Sequence, residues 1–403
     1  MSFVTNLTSD QLSTLSTDII AGLATDDIAG LSSNQFVGFT TLQIPVMSTS
    51  QIAQGFTTIQ AAALTTLQAS ALTSAQIGAL ATANIAALKS ADFTALKTNA
   101  IVGLSTSQMV ALTTDQVAAF STGALASGLN TAQIVALSTQ QAAALGTAQV
   151  VALSTNNVAA LETADFAALK SDAVAALTIN QMKALTTGQV VALSTTEAAA
   201  LSSAQVVALS SDSIAALETA DLSALKTAVV AALTSAQAVA LTTLQLSTLA
   251  TASLAALSTA NVAQLNSAQV VALTSLQLAA LSTAQVAALN PSSVAAIETA
   301  DLGGLSTSAI AALRTAQIGA LTTNQVNNLA TAQVAALGTA AFAAGLNTAQ
   351  IVALSTQQAA ALGTAQVVAL STTNVAALET ADFAALKSDA VAALSINQVK
   401  ALT

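Results

Sequence analysis

Leucine, or an apolar residue of similar size, returns at every eighth position of this chain from Leu7 to Leu402, with only three one-residue slips. The unit is illustrated by Leu281-Ser282-Thr283-Ala284-Gln285-Val286-Ala287-Ala288. A short fixed period obliges each unit to pack on neighbours close in sequence, so such a chain grows along one axis instead of closing into a globule. Length then reports repeat number, and the expected organisation is one continuous octad-repeat solenoid over residues 1–403.

Numbering the octad from its leucine places apolar residues at positions 1 and 6, Ser or Thr at position 2 and often Gln at position 5. Ser/Thr followed three residues later by Gln has capping-box spacing: the hydroxyl accepts from the backbone of position 5, and the Gln side chain reaches back to the cap. The residue before the cap and the fourth helical residue meet as a hydrophobic staple. Those are positions 1 and 6. Asn290-Pro291 agrees with this frame, because Pro at the first helical residue loses no hydrogen bond. The spacing predicts one helix per octad, over positions 3 to 8, roughly 9 Å long at 1.5 Å per residue.

Isolated helices that short are not stable in water, so stacking must bury the Leu and Val/Ile rows. Position 8 is nearly always small, as expected where short helices cross at close range. The expected fold class is all-α, a solenoid of very short helices. The alternative is a β-solenoid, since Val and Thr favour strands; abundant Ala and the lack of clean alternation count against it.

The slips run from Met47 to Phe56, Phe120 to Leu129 and Leu337 to Leu346. Each ends on a glycine, Gly55, Gly128 or Gly345, which suits a left-handed helix end. Pro45 falls at position 7 and should break its helix. Irregular coils are therefore expected near 45–56, 120–129 and 337–346. Residues 129–186 recur at 346–403 with three changes, a duplication of a larger block. No polar capping unit closes the chain at Thr403, so the expectation is a segment of a longer array or open ends that meet.

Charged residues make up only 6% of the sequence, against about 25% in ordinary soluble proteins. Six of the eight basic residues, Lys89, Lys97, Lys170, Lys226, Arg314 and Lys387, stand at position 2, as do Glu162, Glu218, Glu298 and Glu379. Position 2 therefore reads as an outer edge, where Glu162–Lys170, Glu218–Lys226 and Glu379–Lys387 could pair one octad apart. The net charge of −10 argues against nucleic acid. Ser/Thr pairs interrupt the apolar residues every eight positions, whereas a spanning helix needs about 20 in a row. No transmembrane segment is expected.

Cysteine, histidine, tryptophan and tyrosine are absent, which removes disulfides, thiolate nucleophiles, imidazole bases and the usual zinc sites. Paired carboxylates such as Glu162 with Asp165, or Glu379 with Asp382, have a spacing that glycoside hydrolysis can use, but acidic residues in a first turn are ordinary capping partners. Asp26-Asp27 lacks the alternating ligands of a calcium loop. Asn6-Leu7-Thr8 is a lone glycosylation match. The sequence points to no enzyme, and to no catalytic, cofactor-binding or metal site.

The phrase Ala-Leu-Ser-Thr, in variants such as 136–145 (ALSTQQAAAL) and 192–201 (ALSTTEAAAL), resembles the low-complexity repeats of very large bacterial surface or secreted proteins described as adhesin-like. The resemblance implies a bacterial, extracellular structural role and export without an N-terminal signal peptide; residues 1–20 carry none. A cytoplasmic location stays open. The expected function is a non-enzymatic elongated rod or self-assembling fibre, with other copies of the chain as partners. The alternatives are an adhesin stalk or binding module, and a hydroxyl surface that binds ice. The surface ligand stays unknown.

Overall fold

The computed structural model describes residues 3–402. Helices of three to six residues follow one another in octad register, and no strand occurs among the described residues. This is the all-α solenoid, and the β alternative is excluded. In the octad at 281–288, the helix runs Thr283–Ala288; Ser282 is its extended N-cap, and Leu289 is extended after it. Two extended residues between helices make a sharp corner. In most units the Ser/Thr after the corner then starts the next helix, as the Ser282 hydroxyl accepts from the Gln285 N–H.

Helices pack on one another three units apart, as Pro291–Ala296 does on Ser267–Val271 and Ser90–Ala95 on Thr66–Ala71. Three helices thus make one coil, and coils stack within each of two compact units, one ending at Ala200 and one beginning at Leu201. The core contains the expected columns: Leu289 is 3% exposed and Val286 1%. A third column was not expected. Position 5 is buried along most of the chain, with Gln285 at 3% exposure beside Val286.

Small residues at position 8 permit close approach. A Cβ on Gly38 would strike the Ser9 carbonyl oxygen, and one on Gly103 would strike that of Ser74, each on the coil before. At Asn290-Pro291, proline does occupy the first turn, but the Asn290 side chain makes no cap; its Nδ2 donates to Ala263 O at 2.8 Å instead.

The slips are absorbed differently from expectation. No described glycine has positive φ, so the left-handed ends do not form. Gln51–Gly55, Ala124–Gly128 and Ala341–Gly345 each widen into one turn of π-helix that takes in the ninth residue. Glycine ends these turns because the previous coil is close: an added Cβ on Gly55 would come within 2.9 Å of Ile28 Cβ, and on Gly345 within 3.2 Å of Ile318 Cγ2. Pro45 reduces its own unit to the three-residue 3-10 turn Ile44–Val46.

The Glu–Lys pairs do not form. Units one octad apart are successive sides of a coil, not stacked neighbours, and no ion pair joins Glu162–Lys170, Glu218–Lys226 or Glu379–Lys387. Two position-2 lysines reach instead to carbonyls one coil back: Lys89 Nζ donates to Leu64 O at 2.9 Å and Lys387 Nζ lies 3.5 Å from Ala361 O.

Candidate functional site along the glutamine ladder

A helix leaves its first four N–H and last four C=O groups without internal partners. In a six-residue helix that is nearly everything. Position-5 glutamine serves both ends of this deficit. Gln277 Oε1 accepts from the Thr274 backbone N–H at 2.9 Å, and its own N–H donates to Thr274 Oγ1 at 3.3 Å. The other half of the same amide crosses to the preceding coil. Gln277 Nε2 donates to Leu246 O at 2.8 Å and to Leu249 O at 2.7 Å. Those carbonyls lie at the C-terminal end of helix Thr243–Thr248 and at the corner after it.

The arrangement recurs. Gln76 donates to Ile44 O and Met47 O, Gln189 to Val158 O and Leu161 O, and Gln350 to Ile318 O and Leu321 O, all between 2.6 and 2.9 Å. Each buried glutamine caps the start of its own helix and the end of a helix one coil back. The capping box was legible in the octad. The second donation was not, because it depends on how many octads close a coil.

Position 5 tolerates other residues, and their chemistry grades the contact. Asn157, Asn261 and Asn374 are one methylene shorter and donate once, to the position-1 carbonyl 28 residues earlier, at 2.9, 2.7 and 2.9 Å. Ser293 does the same through Oγ at 3.1 Å. A carboxylate cannot donate. Asp165 and Asp382 accept on Oδ1 from Thr139 and Thr356 at 2.9 and 2.8 Å, and their buried Oδ2 atoms have no hydrogen-bond partner. At Asp92, burial pushes the carboxyl above its ordinary value, opposed by the Lys89 backbone N–H, the Lys89 charge and the Thr66 hydroxyl.

The carboxylate pairs singled out in the sequence do not converge. Asp165 and Asp382 are buried, while Glu162 and Glu379 point outward as exposed N-caps. Asp27 accepts from the Ala24 N–H at 3.0 Å, an ordinary cap. Among the described residues no three acidic side chains gather to hold a metal ion, and no helix is long and apolar enough to cross a membrane.

Fold and ladder together define an α-solenoid repeat protein whose units are joined coil to coil by glutamine. The chain belongs to the ALTTAQ repeat family, which matches it in nine segments: 20–54, 85–122, 127–155, 158–195, 214–251, 246–283, 294–331, 343–372 and 375–403. No curated protein matches it. Among solved structures, the leucine-rich repeat-containing protein LegL7 from Legionella pneumophila is 14% identical, covering 60% of this chain and 79% of its own, with a TM-score of 0.18.

Proposed function

We propose that this chain is a non-enzymatic structural scaffold that forms an elongated, self-assembling element at the cell surface or outside the cell. One observation carries the reading: most coils offer at their far side carbonyls that glutamines of the next coil take, as Leu246 and Leu249 are taken by Gln277. Such a contact recurs in the same form wherever a glutamine coil follows, so a second copy can continue it as the same chain does. The extracellular part of the proposal draws on the resemblance to long-repeat bacterial surface proteins.

Negative-stain electron microscopy at rising protein concentration tests the assembly. Fibres that lengthen with concentration are expected; discrete particles of one size at all concentrations would overturn it. Antibody labelling of intact source cells tests the location, with surface labelling expected.

An adhesin stalk or binding module is the second reading. Leu42 and Leu67 favour it: they are 76% and 72% exposed and occupy the same octad position one coil apart, Leu42 in a turn and Leu67 on a helix. Discrete particles that bind an apolar surface, with binding lost in Leu42→Ser/Leu67→Ser, would favour this reading over the scaffold.

A further inference from the structure

In several places the glutamine ladder is interrupted for a whole coil. Three consecutive units carry Asn84, Asp92 and Ala100 at position 5, and the succession returns as Asn157, Asp165 and Ala173, as Ser293, Asp301 and Ala309, and as Asn374, Asp382 and Ala390. Three units are one coil, so each succession strips glutamine from a complete turn. The same coils carry most of the exposed position-2 charges, including Glu162, Lys170, Glu298, Glu379 and Lys387.

Little joins these coils to the ones before them. In the coil of Asp165, Asn157 donates once, to Leu129 O. Asp165 receives Thr139 but gives nothing back, Ala173 has no polar group to offer, and in that unit only the exposed Asp172 accepts from Thr147 Oγ1 at 3.0 Å. The coil of Asp382 repeats this with Asn374, Thr356, Ala390 and the exposed Thr364–Asp389 bond, and adds only the long Lys387–Ala361 contact. The buried Oδ2 of Asp165 or Asp382 adds a desolvated oxygen without a donor, a cost that no stapled coil carries. Apolar burial continues through the seam, with Phe166 at 1% and Leu169 at 4% exposure, so the fold persists while its directional bonds thin out.

We propose that the glutamine-free coils are yield points built into the solenoid. The stack parts first between such a coil and the one before it, and the stapled blocks on either side stay folded. From Asp92 to Asp165 is 73 residues and from Asp301 to Asp382 is 81, so the chain opens in blocks of several coils, not octad by octad. This holds whether or not copies join to one another.

Hydrogen exchange read by mass spectrometry on the full chain tests it. Helices Thr163–Ala167 and Ser171–Ala175 should exchange roughly tenfold faster than the stapled helices Thr106–Ala111 and Thr114–Ala118. Uniform protection, or protection that simply declines towards the chain ends, would overturn the proposal. Two variants sharpen the result, each using a residue the chain already places at position 5. Asp165→Asn/Asp382→Asn supplies the donor seen at Asn261 and should slow exchange at both seams several-fold. Gln277→Ala should open a new fast-exchanging seam in a stapled coil. An unchanged exchange map in either variant would also overturn it.

Discussion

Residues 265–288 and 289–312 are adjacent coils with nearly the same apolar filling and very different polar joints. The first buries Val270, Leu273, Leu278, Leu281 and Val286; the second buries Val294, Ile297, Leu302, Leu305 and Ile310. The first is tied back by Gln269, Gln277 and Gln285, which reach the corner carbonyls of Leu241, Leu249 and Leu257 at 2.7–2.8 Å. The second has Ser293 on Leu265 O, Asn290 on Ala263 O, and the Ser275 hydroxyl on Asp301. Both coils fold the same way. The apolar columns therefore specify the coil, and the position-5 side chain sets how firmly it is held.

The comparison breaks most severely if the shared part is removed. Leu273→Asp or Leu305→Asp puts a carboxylate without a partner into the leucine column, and each should cost more than about 4 kcal/mol. Thermal melting should drop similarly for both. A large difference between the two would mean that the columns are not equivalent.

The polar part comes next. Gln277→Ala removes donors from Leu246 O and Leu249 O and should cost about 2–3 kcal/mol, whereas Ser293→Ala should cost about 1 kcal/mol. Equal losses in denaturant melts would contradict a graded ladder. Glu197 offers the reverse change. It is buried at position 5, 4% exposed, and caps Ser194 through Oε2 at 2.8 Å. Glu197→Gln keeps that acceptor and adds a donor, so stability should rise by about 1 kcal/mol; a loss would show that the carboxylate has a partner of its own.

The smallest effect is the pH dependence at Asp92. Its carboxyl is raised above the ordinary 3.8, so the folded chain holds this proton more tightly than the unfolded chain. The contribution is fully present below the ordinary value and is lost as pH rises through the raised one. Asp92→Asn should therefore match the parent near about pH 4 and become the more stable of the two towards about pH 7. A difference in melting temperature that does not change with pH would refute this.

Much of this fold could be read from eight residues, because a cap, a first turn and a staple are local. Ser282, Gln285 and Val286 announce their helix without any knowledge of the rest of the chain. The ladder is not local. Gln285 meets Leu257, 28 residues earlier, only because three octads close a coil, and nothing within one octad states that number. Two signals for it were nevertheless present. The slips at Met47, Phe120 and Leu337 are nine and then twenty-seven units apart, both multiples of three. Several runs of glutamine-free positions also come in threes, as at Asn157, Asp165 and Ala173. The π-turns escaped because glycine at a slip suits a left-handed end equally well in sequence; only the nearness of Ile28 to Gly55 distinguishes them. The paired charges misled because neighbours in sequence here are not neighbours in the stack.

The central claim is that one buried amide group caps two helices at once. Nuclear magnetic resonance of the glutamine-labelled chain tests it at Gln277, by side-chain amide exchange and by couplings transmitted across hydrogen bonds. The Nε2 protons should exchange slowly and couple to the carbonyls of Leu246 and Leu249. Exchange at the rate of a free glutamine, with no coupling to either carbonyl, would contradict the claim.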